Sequence, residues 1–280
     1  WCAFAGSRHM RAAHVESSGG VLQQQVGNRL KPGARRRMHC GVARRGACVG
    51  SRAGIDEPLA DSSLIATWRL MSLVRDAGLK CVLSGDGADE MLGGYPTYLA
   101  HQLAGPARLL HGGLQRAVDR MPVRTDGVTQ DYMAKRFVRG LDQPWQRRHQ
   151  VWMGSWLPEE IEANEAVWGR TDKLAQCAGS DTVGRAMAID QRMYLSDGVL
   201  VKVDRASGAH GLEVRSPFLD DTIGNLSAQM GTGHHVRGRA TKRVLRAAME
   251  GIVPEPARMR TKKGFGTPVG PWLRGPCQHL

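Results

Sequence analysis

The stretch that most constrains the fold of this chain is KCVLSGDGADEMLGGY, residues 80–95. Lys80 to Leu83 predict a short strand, which leads into a loop that holds glycines and three acidic side chains. A helix start and the pair Gly93-Gly94 close the stretch. A strand that runs through a glycine loop into a helix is typical of an α/β layer, in which sites form at the carboxyl end of a strand. We therefore predict an α/β fold with a site at this loop.

Helical patterns dominate the chain on both sides of the loop. Asp61-Ser62-Ser63 supplies a helix N-cap, and Gly78 supplies the matching stop. Apolar residues stand at helical spacing between them: Leu64, Ile65, Trp68, Met71 and Val74. Residues 99–236 are predicted to be mostly helical, with helix starts at Leu157-Pro158 and Thr182, the latter helix running to about Tyr194, and a further helix after Thr241. The prediction is a helix-rich α/β chain with a partial parallel sheet and a mainly helical carboxyl-terminal part.

Charge divides the chain into two unlike segments. The net charge is +13, yet residues 1–55 contain ten Lys/Arg and one acid, whereas residues 56–280 contain 29 Lys/Arg and 25 acids. The first segment shows no sustained helical or alternating period, so it could be a basic tail for an anionic partner or an unrelated, wrong-frame sequence. We favour the second interpretation, expect residues 1–55 to be poorly ordered, and therefore regard nucleic acid as an improbable partner.

Cysteine usage and hydropathy bear on the compartment. The six cysteines are scattered without a C-x-x-C pair, which disfavours a zinc site and a disulfide framework. No apolar run approaches the length of a membrane span, and no stretch resembles a signal peptide. The sequence therefore predicts a soluble, cytoplasmic protein with no membrane partner, and the start at Trp1 suggests a fragment or a processed product.

The acidic loop has two chemical interpretations. A glycine-rich turn and a helix N-terminus attract phosphate, and carboxylates fit such a loop when Mg²⁺ lies between them and the phosphate oxygens. Alternatively, Asp-Gly and Gly-Gly are ordinary turn formers, and an acid in a first helical turn only complements the helix dipole. The loop by itself leaves both interpretations open.

Further motifs favour the first interpretation. The segments DEPLADSS from Asp56, LVKVDRASGAHGLEVRSPFLD from Leu200, GRATKRVLR from Gly238 and KKGFGTPVGPWLRG from Lys262 follow in order. Together with the loop, which matches SGxGxDE-x-x-x-GGY, they resemble the synthetase domain of glutamine-hydrolysing asparagine synthetases over residues 56–280. The resemblance implies an ATP-pyrophosphatase-type fold (adenine nucleotide α-hydrolase-like). It also implies an ATP- and Mg²⁺-dependent ligase that adenylates aspartate and lets ammonia, released from glutamine, attack it.

The resemblance also implies roles for individual residues. Asp86 would lie near the acyl-adenylate, Asp89 would hold Mg²⁺, and Lys242 would neutralise charge in the transition state. The residues expected to contact ATP are Ser84, Gly85, Gly87, Lys202 and Arg205.

Several basic residues have simpler alternatives. Lys202 and Arg205 could instead pair with Asp204, and Lys242 could be a solvated lysine. We interpret Glu213 and Arg215 as a structural ion pair, and Lys262 and Lys263 as anchors of a loop.

The chain departs from the family pattern in its first 55 residues. The expected SGGxDSS segment is not found, because Ser18-Gly19-Gly20 is followed by Val21 and lacks the aspartate and serine pair. WCAFAG, with Cys2, only faintly resembles the start of the family's glutaminase domain, for which about 55 residues leave no room. We therefore expect the chain as it stands neither to make asparagine nor to hydrolyse glutamine.

Alternative functions remain open at this stage. The same fold could serve an amidotransferase or a lactam or peptide cyclase that acts on another acyl substrate. From a different class, the chain could be a non-catalytic protein whose basic end binds nucleic acid, and a homodimer is compatible with each of these functions.

Overall fold

The computed structural model describes residues 2–4, 13–14, 56, 59, 61–122, 129–154, 165–176, 181–260 and 274–275, with the backbone alone at residues 2–4, 13–14 and 165–167. The strands are β1 (Cys2–Phe4), β2 (Ala13–His14), β3 (Cys81–Leu83) and β4 (Glu213–Arg215). The helices before residue 155 are α1 (Ser63–Asp76), α2 (Ala88–Leu92), α3 (Pro96–Arg108), α4 (His111–Asp119), α5 (Gln130–Gly140) and α6 (Trp145–Met153). The later α-helices are α7 (Glu165–Gln176), α8 (Thr182–Asp190), α9 (Val201–Gly208), α10 (Asp221–Gln229), α11 (Thr232–His235), α12 (Arg243–Ala248) and α13 (Glu255–Arg258). A π-helix (Gln191–Leu200) joins α8 to α9, and a 3₁₀-helix (Pro217–Leu219) follows β4.

The described residues form two compact units. The first contains those up to Asp86, residues 196–218 and residues 274–275, and the second contains residues 87–195 and 219–260. Many helices and a small sheet with one parallel pair of strands confirm the prediction of a helix-rich α/β chain.

The sheet of the first unit has the strand order β2-β1-β3-β4. β3 runs parallel to β4, with Val82 beside Val214, and antiparallel to β1, with Val82 beside Ala3. The predicted strand at residues 80–83 is therefore confirmed, and its parallel pairing is with β4. β1 and β2 are the described parts of residues 1–55; the prediction that this segment is unrelated to the rest stays a prediction.

Helix α1 begins and ends where the sequence predicts. The Ser63 amide donates to the Asp61 carboxylate at 2.9 Å, which satisfies one of the free N–H groups of the first turn. Gly78, at φ +75°, follows the last turn, and its amide donates to the Arg75 carbonyl at 2.8 Å. The core of the first unit consists of the apolar stripe of α1 packed on β3, α9 and the residue before β4: Leu64, Leu70, Met71, Val74, Val82, Ala206 and Leu212.

The core of the second unit is built by α3, α8 and the residue after α11. Its buried members are Tyr98, Val183, Ala186, Met187 and Val236. Helix α8 starts at an Asp181 N-cap that accepts from the Gly184 amide at 2.9 Å. The predicted helix over about residues 182–194 is confirmed and continues beyond Tyr194 in the π-helix, and the helix predicted after Thr241 is α12. The helix start predicted at residues 157–158 lies outside the described residues.

Candidate functional site

The glycine loop begins in the first unit as a small hydrogen-bonded turn. The Ser84 amide donates to the Arg215 carbonyl at 2.8 Å, so this residue is tied to β4 although β3 has ended. The buried Ser84 hydroxyl donates to the Asp86 carboxylate, and the Asp86 amide donates back to the Ser84 hydroxyl oxygen at 3.1 Å. Between them Gly85 is exposed, with open space where a Cβ would stand. The turn therefore fixes the Asp86 carboxylate and leaves a bare backbone beside it.

The second unit begins with a glycine that no other residue could replace without strain. Gly87 is the N-cap of α2 and has φ +86°. A Cβ on it would stand 2.2 Å from Leu219 Cδ2. Both the left-handed backbone and the contact therefore require glycine at the start of the helix that carries Asp89 and Glu90.

Asp89 and Lys242 form an ion pair in the second unit. Lys242 Nζ lies 3.0 Å from Asp89 Oδ1, and the two side chains are 21% and 12% exposed. The Lys242 amide donates to the Gly93 carbonyl at 3.2 Å. A Cβ on Gly94 would lie 1.8 Å from Asp89 Oδ1 and 2.4 Å from Lys242 Cε. The glycine pair that closes the sequence motif therefore makes room for this ion pair.

Lys242 also has an unusual backbone. Its φ of +51° is the only positive φ of a non-glycine residue in the described part of the chain. Such a conformation costs about 1–3 kcal/mol and concentrates at functional sites. It places Lys242 directly before α12, with its side chain on α2.

The acceptors at the end of α2 are satisfied by three different elements. Helix ends leave carbonyls without intrahelical donors, and a five-residue helix consists almost entirely of ends. The donor–acceptor pairs are Gly94 N to Asp89 O at 2.8 Å, Gln191 Nε2 to Glu90 O at 3.1 Å, and Ser227 Oγ to Met91 O. Residues from the following loop, the π-helix and α10 thus hold the helix that carries Asp89.

Glu90, the residue after Asp89, lies in the interior of the second unit. It is 2% exposed, and the Tyr95 hydroxyl donates to its carboxylate. Burial raises the pKa of Glu90 above its ordinary value, although the Tyr95 hydrogen bond acts in the opposite direction. Burial also raises the pKa of Tyr95, so its hydroxyl keeps the proton that it donates.

A buried polar network that the sequence analysis did not identify lies deeper in the second unit. The Tyr98 hydroxyl donates to Asp190 Oδ2 at 2.6 Å, and His149 Nε2 lies 2.9 Å from Asp190 Oδ1. His149 Nδ1 is 3.1 Å from His101 Nε2, so the two imidazoles and the Asp190 carboxylate form one hydrogen-bonded chain. Burial, reinforced by His149 and Arg148, lowers the pKa of His101 to about 2. The hydrogen-bonded partners are 41 to 92 residues apart in sequence, and no local pattern connects them.

The predicted cofactor contact Lys202 has partners inside the first unit. Its Nζ donates to Asp61 Oδ2 at 2.7 Å and to the Ser63 hydroxyl at 2.8 Å, and the residue is buried. Burial alone would raise the pKa of Asp61, but the charge and hydrogen bond of Lys202, with those of Ser63, lower it below its ordinary value. Lys202 therefore secures the start of α1.

Arg205 lies one turn further along α9 and binds the first residue of the DEP motif. Its Nε and Nη2 donate to the two carboxylate oxygens of Asp56 at 3.0 and 2.8 Å. Its Nη1 also lies 3.3 Å from Asp204, the partner that the sequence analysis had considered. The DEPLADSS segment and the KVDR segment (Lys202 to Arg205) are therefore joined by two ion pairs.

Glu213 and Arg215 form the ion pair that the sequence predicts at β4. Arg215 Nε donates to Glu213 Oε1 at 2.7 Å, which confirms the structural ion pair. Lys262, Lys263 and the Ser18-Gly19-Gly20 segment lie outside the described residues.

The arrangement around Asp89 is compatible with a hard cation bound through one protein carboxylate. The ammonium 3.0 Å from this largely buried carboxylate shows that the position in front of it favours positive charge. Mg²⁺ binds through one or two carboxylates together with phosphate oxygens and water, so one such carboxylate is sufficient on the protein side. Among the described residues, no group of three or more His, Cys, Asp or Glu side chains is arranged to hold a metal ion. Nor does any helix in the described ranges have the length and apolar character needed to cross a membrane.

Comparison with known proteins adds a family match. The family model described as asparagine synthase matches residues 53–280. A Mycobacterium bovis protein named "Putative asparagine synthetase (glutamine-hydrolyzing)" is 33% identical over 227 residues, which cover 79% of this chain and 34% of the relative. Asparagine synthetase (glutamine-hydrolyzing) 1 of Bacillus subtilis is 25% identical over 224 residues, covering 78% of this chain and 35% of that protein. The chain thus spans about a third of the length of these relatives, and no solved structure matches it significantly.

Proposed function

Because the chain belongs to the asparagine synthase family, we propose that residues 56–280 are the amide-forming part of an ATP-dependent carbon–nitrogen ligase. The fold that we propose is of the ATP-pyrophosphatase type, with β3 and β4 as its parallel strands. In this proposal the acyl substrate is aspartate and the nitrogen comes from ammonia that glutamine supplies, which is supported by relatives named as glutamine-hydrolysing asparagine synthetases.

The observation that carries this proposal is the Asp89–Lys242 pair on the helix that follows the glycine loop. A hard cation held by Asp89 would supply charge neutralisation for the phosphates of ATP. Lys242 offers a second positive charge, which can pass from the Asp89 carboxylate to a phosphate oxygen as negative charge develops there. The strained backbone of Lys242 supports this role, because a lysine that only solvates the surface has no need of it.

The other predicted contacts remain part of the proposal. Ser84 and Gly85 present exposed or hydrogen-bonded backbone for a nucleotide, and Gly87 starts the helix that follows. The Asp86 carboxylate, fixed by Ser84, would lie near the acyl group.

Lys202 and Arg205 have a less direct role in the proposal. They would meet phosphates only by leaving Asp61 and Asp56 or by binding both groups at once.

The proposal is tested by changing Asp89 to asparagine. An amide is a poorer ligand for a hard cation than a carboxylate, so we expect Mg²⁺-dependent binding of ATP to the chain to weaken at least about tenfold. In a full-length relative with the same loop, the corresponding change should abolish aspartate-dependent ATP–pyrophosphate exchange. Asp119→Asn, which alters an exposed carboxylate on α4, is the matched control and should leave binding unchanged.

The possible results distinguish the role of Asp89 from the identity of the acyl substrate. Parental ATP binding and exchange in Asp89→Asn, across a titration of Mg²⁺, would remove Asp89 from the site and refute the proposal. Exchange that depends on Asp89 but responds to another carboxylic acid rather than to aspartate would instead identify a different acyl substrate for the same fold.

A further inference from the structure

We propose that Gln191 is a positioning residue that fixes α2, and with it the Asp89 carboxylate, through a hydrogen bond to the Glu90 carbonyl. The inference rests on the proposed function in one respect, namely that Asp89 binds a divalent cation. Its structural part, that Gln191 holds α2 in place, is independent of that function.

The length of α2 explains why it needs an external support. It has five residues, and isolated helices of that length are not stable in water, because nucleation costs more than the few hydrogen bonds return. Its stability must therefore come from contacts outside the helix. Beyond its own following loop, two side chains supply hydrogen bonds to its last carbonyls, Gln191 from the π-helix and Ser227 from α10.

Gln191 is itself held firmly. It follows Asp190, which is 1% exposed and accepts hydrogen bonds from Tyr98 and His149. It is also the first residue of the π-helix, a rare structure that is frequent at functional sites. The buried network thus anchors the backbone from which the Gln191 amide reaches α2, and this gives the network a function in the site.

The position of Asp89 has little tolerance for movement of α2. The carboxylate lies 3.0 Å from Lys242 Nζ and so close to Gly94 that even a methyl group there would overlap it. The Glu90 carbonyl belongs to the residue directly after Asp89, so a shift at that carbonyl displaces the carboxylate. Residues that orient metal ligands typically alter metal affinity 10–100-fold when they are changed.

The chain contains a matched control for this bond. Gln102 Nε2 donates to the Val236 carbonyl at 3.1 Å, the same length and the same chemistry as the Gln191 bond. Gln191→Met and Gln102→Met each remove a donor while nearly keeping the shape and flexibility of the side chain. Gln191→Glu is a second variant in case the methionine variant folds poorly, since it keeps the shape and only replaces the amide by a carboxylate.

The experiment combines two readouts on the 280-residue chain. Hydrogen exchange followed by mass spectrometry reports the protection of residues 88–95, and titration with Mn²⁺ alone, followed by EPR, reports the affinity of the cation site. We expect Gln191→Met to accelerate exchange in this segment about tenfold and to weaken Mn²⁺ binding about tenfold. Gln102→Met should change neither quantity, and Asp89→Asn should abolish Mn²⁺ binding.

Each result decides between the inference and the function on which it rests. Unchanged exchange in residues 88–95 of the folded Gln191 variants overturns the inference. Faster exchange with unaltered Mn²⁺ affinity, while Asp89→Asn still abolishes binding, overturns the positioning of the carboxylate. Unaltered Mn²⁺ binding in Asp89→Asn refutes the metal role in the proposed function, and hydrogen exchange then decides whether Gln191 holds α2.

Discussion

The sequence assigns similar roles to three basic residues, Lys202 and Arg205 in the first unit and Lys242 in the second, but the structure treats the two regions differently. In the first unit, Lys202 and Arg205 bind Asp61 and Asp56 and thereby hold the start of α1 and the DEP motif. These contacts are what a helix start requires, and the residues involved have ordinary backbone conformations. These contacts therefore have a structural explanation that requires no nucleotide.

The second region contains features that folding does not require. Lys242 is held in a left-handed backbone conformation, its partner Asp89 is largely buried, and Gly94 must lack a side chain for the two to meet. The left-handed backbone of Lys242 and the close approach at Gly94 each restrict the chain in a way that the ion pairs of the first unit do not. The comparison therefore favours the Asp89–Lys242 region over the α1–α9 region as the centre of the proposed site.

The largest effect is expected from filling the space beside the Asp89–Lys242 ion pair. In Gly94→Ala the added methyl group would stand 1.8 Å from Asp89 Oδ1, so the ion pair must separate or α2 must move. We expect a loss of about 3 kcal/mol in the free energy of unfolding, the upper part of the range for overpacking, together with loss of divalent-cation binding. Chemical denaturation measures the first quantity and calorimetric titration the second.

Gly105→Ala is the matched control for this change. Gly105 lies in α3 with no heavy atom within 4 Å of an added Cβ, so alanine should stabilise the chain by about 0.5–1 kcal/mol. Equal behaviour of the two variants would contradict the importance of the close approach at Gly94.

Acidification should distinguish the two regions next. The pKa of His101 is lowered to about 2 in the folded second unit, whereas the unfolded chain protonates this group near 6.5. Above pH 6.5 the imidazole is neutral in both states, and the free energy of unfolding does not depend on it. Below pH 6.5 only the unfolded chain gains the proton, so the free energy of unfolding falls by about 1.4 kcal/mol per pH unit, or by about 2 kcal/mol at pH 5. In the first unit, the pKa of Asp61 is lowered from about 3.8, so its contribution is lost only when the pH falls below that value.

Hydrogen exchange at pH 7 and pH 5, corrected for the intrinsic rate, would measure this difference. Protection of α3 and α6 should decrease at pH 5 while that of α1 persists. His101→Gln should flatten the pH dependence of the second unit, and the exposed His234→Gln should not. A parallel loss of protection in both units would show that His101 does not govern the response.

The sequence predicted local features, most clearly in the first unit, and none of the distant side-chain pairings. Strand β3, helix α1 with its Asp61 start, and the Glu213–Arg215 pair follow from periodicity, capping and alternation, which neighbouring residues determine. The partner of Lys202 lies 141 residues away and that of Arg205 lies 149 residues away, so only the tertiary fold brings them together. The left-handed backbone of Lys242 was equally hidden, because lysine carries no preference for it.

The smallest expected effect compares the two ion pairs within the first unit. Lys202→Met leaves the Asp61 carboxylate, 32% exposed, without its ammonium and removes a hydrogen bond to Ser63. Because this pair is partly buried, we expect a loss of about 1–2 kcal/mol, less than for a fully buried pair. Arg205→Met breaks a pair whose side chains are 39% and 67% exposed, so its cost should stay below about 1 kcal/mol and shrink further in salt.

Thermal unfolding at low and high ionic strength measures both losses, and ATP binding to the folded variants tests the remaining proposal. If Lys202 and Arg205 only support α1 and the DEP motif, ATP affinity should not change in either variant. A tenfold weaker affinity in Lys202→Met with unaltered stability would mean that Lys202 leaves Asp61 to meet the nucleotide. The first unit would then carry part of the site, and the contrast with the Asp89–Lys242 region would disappear.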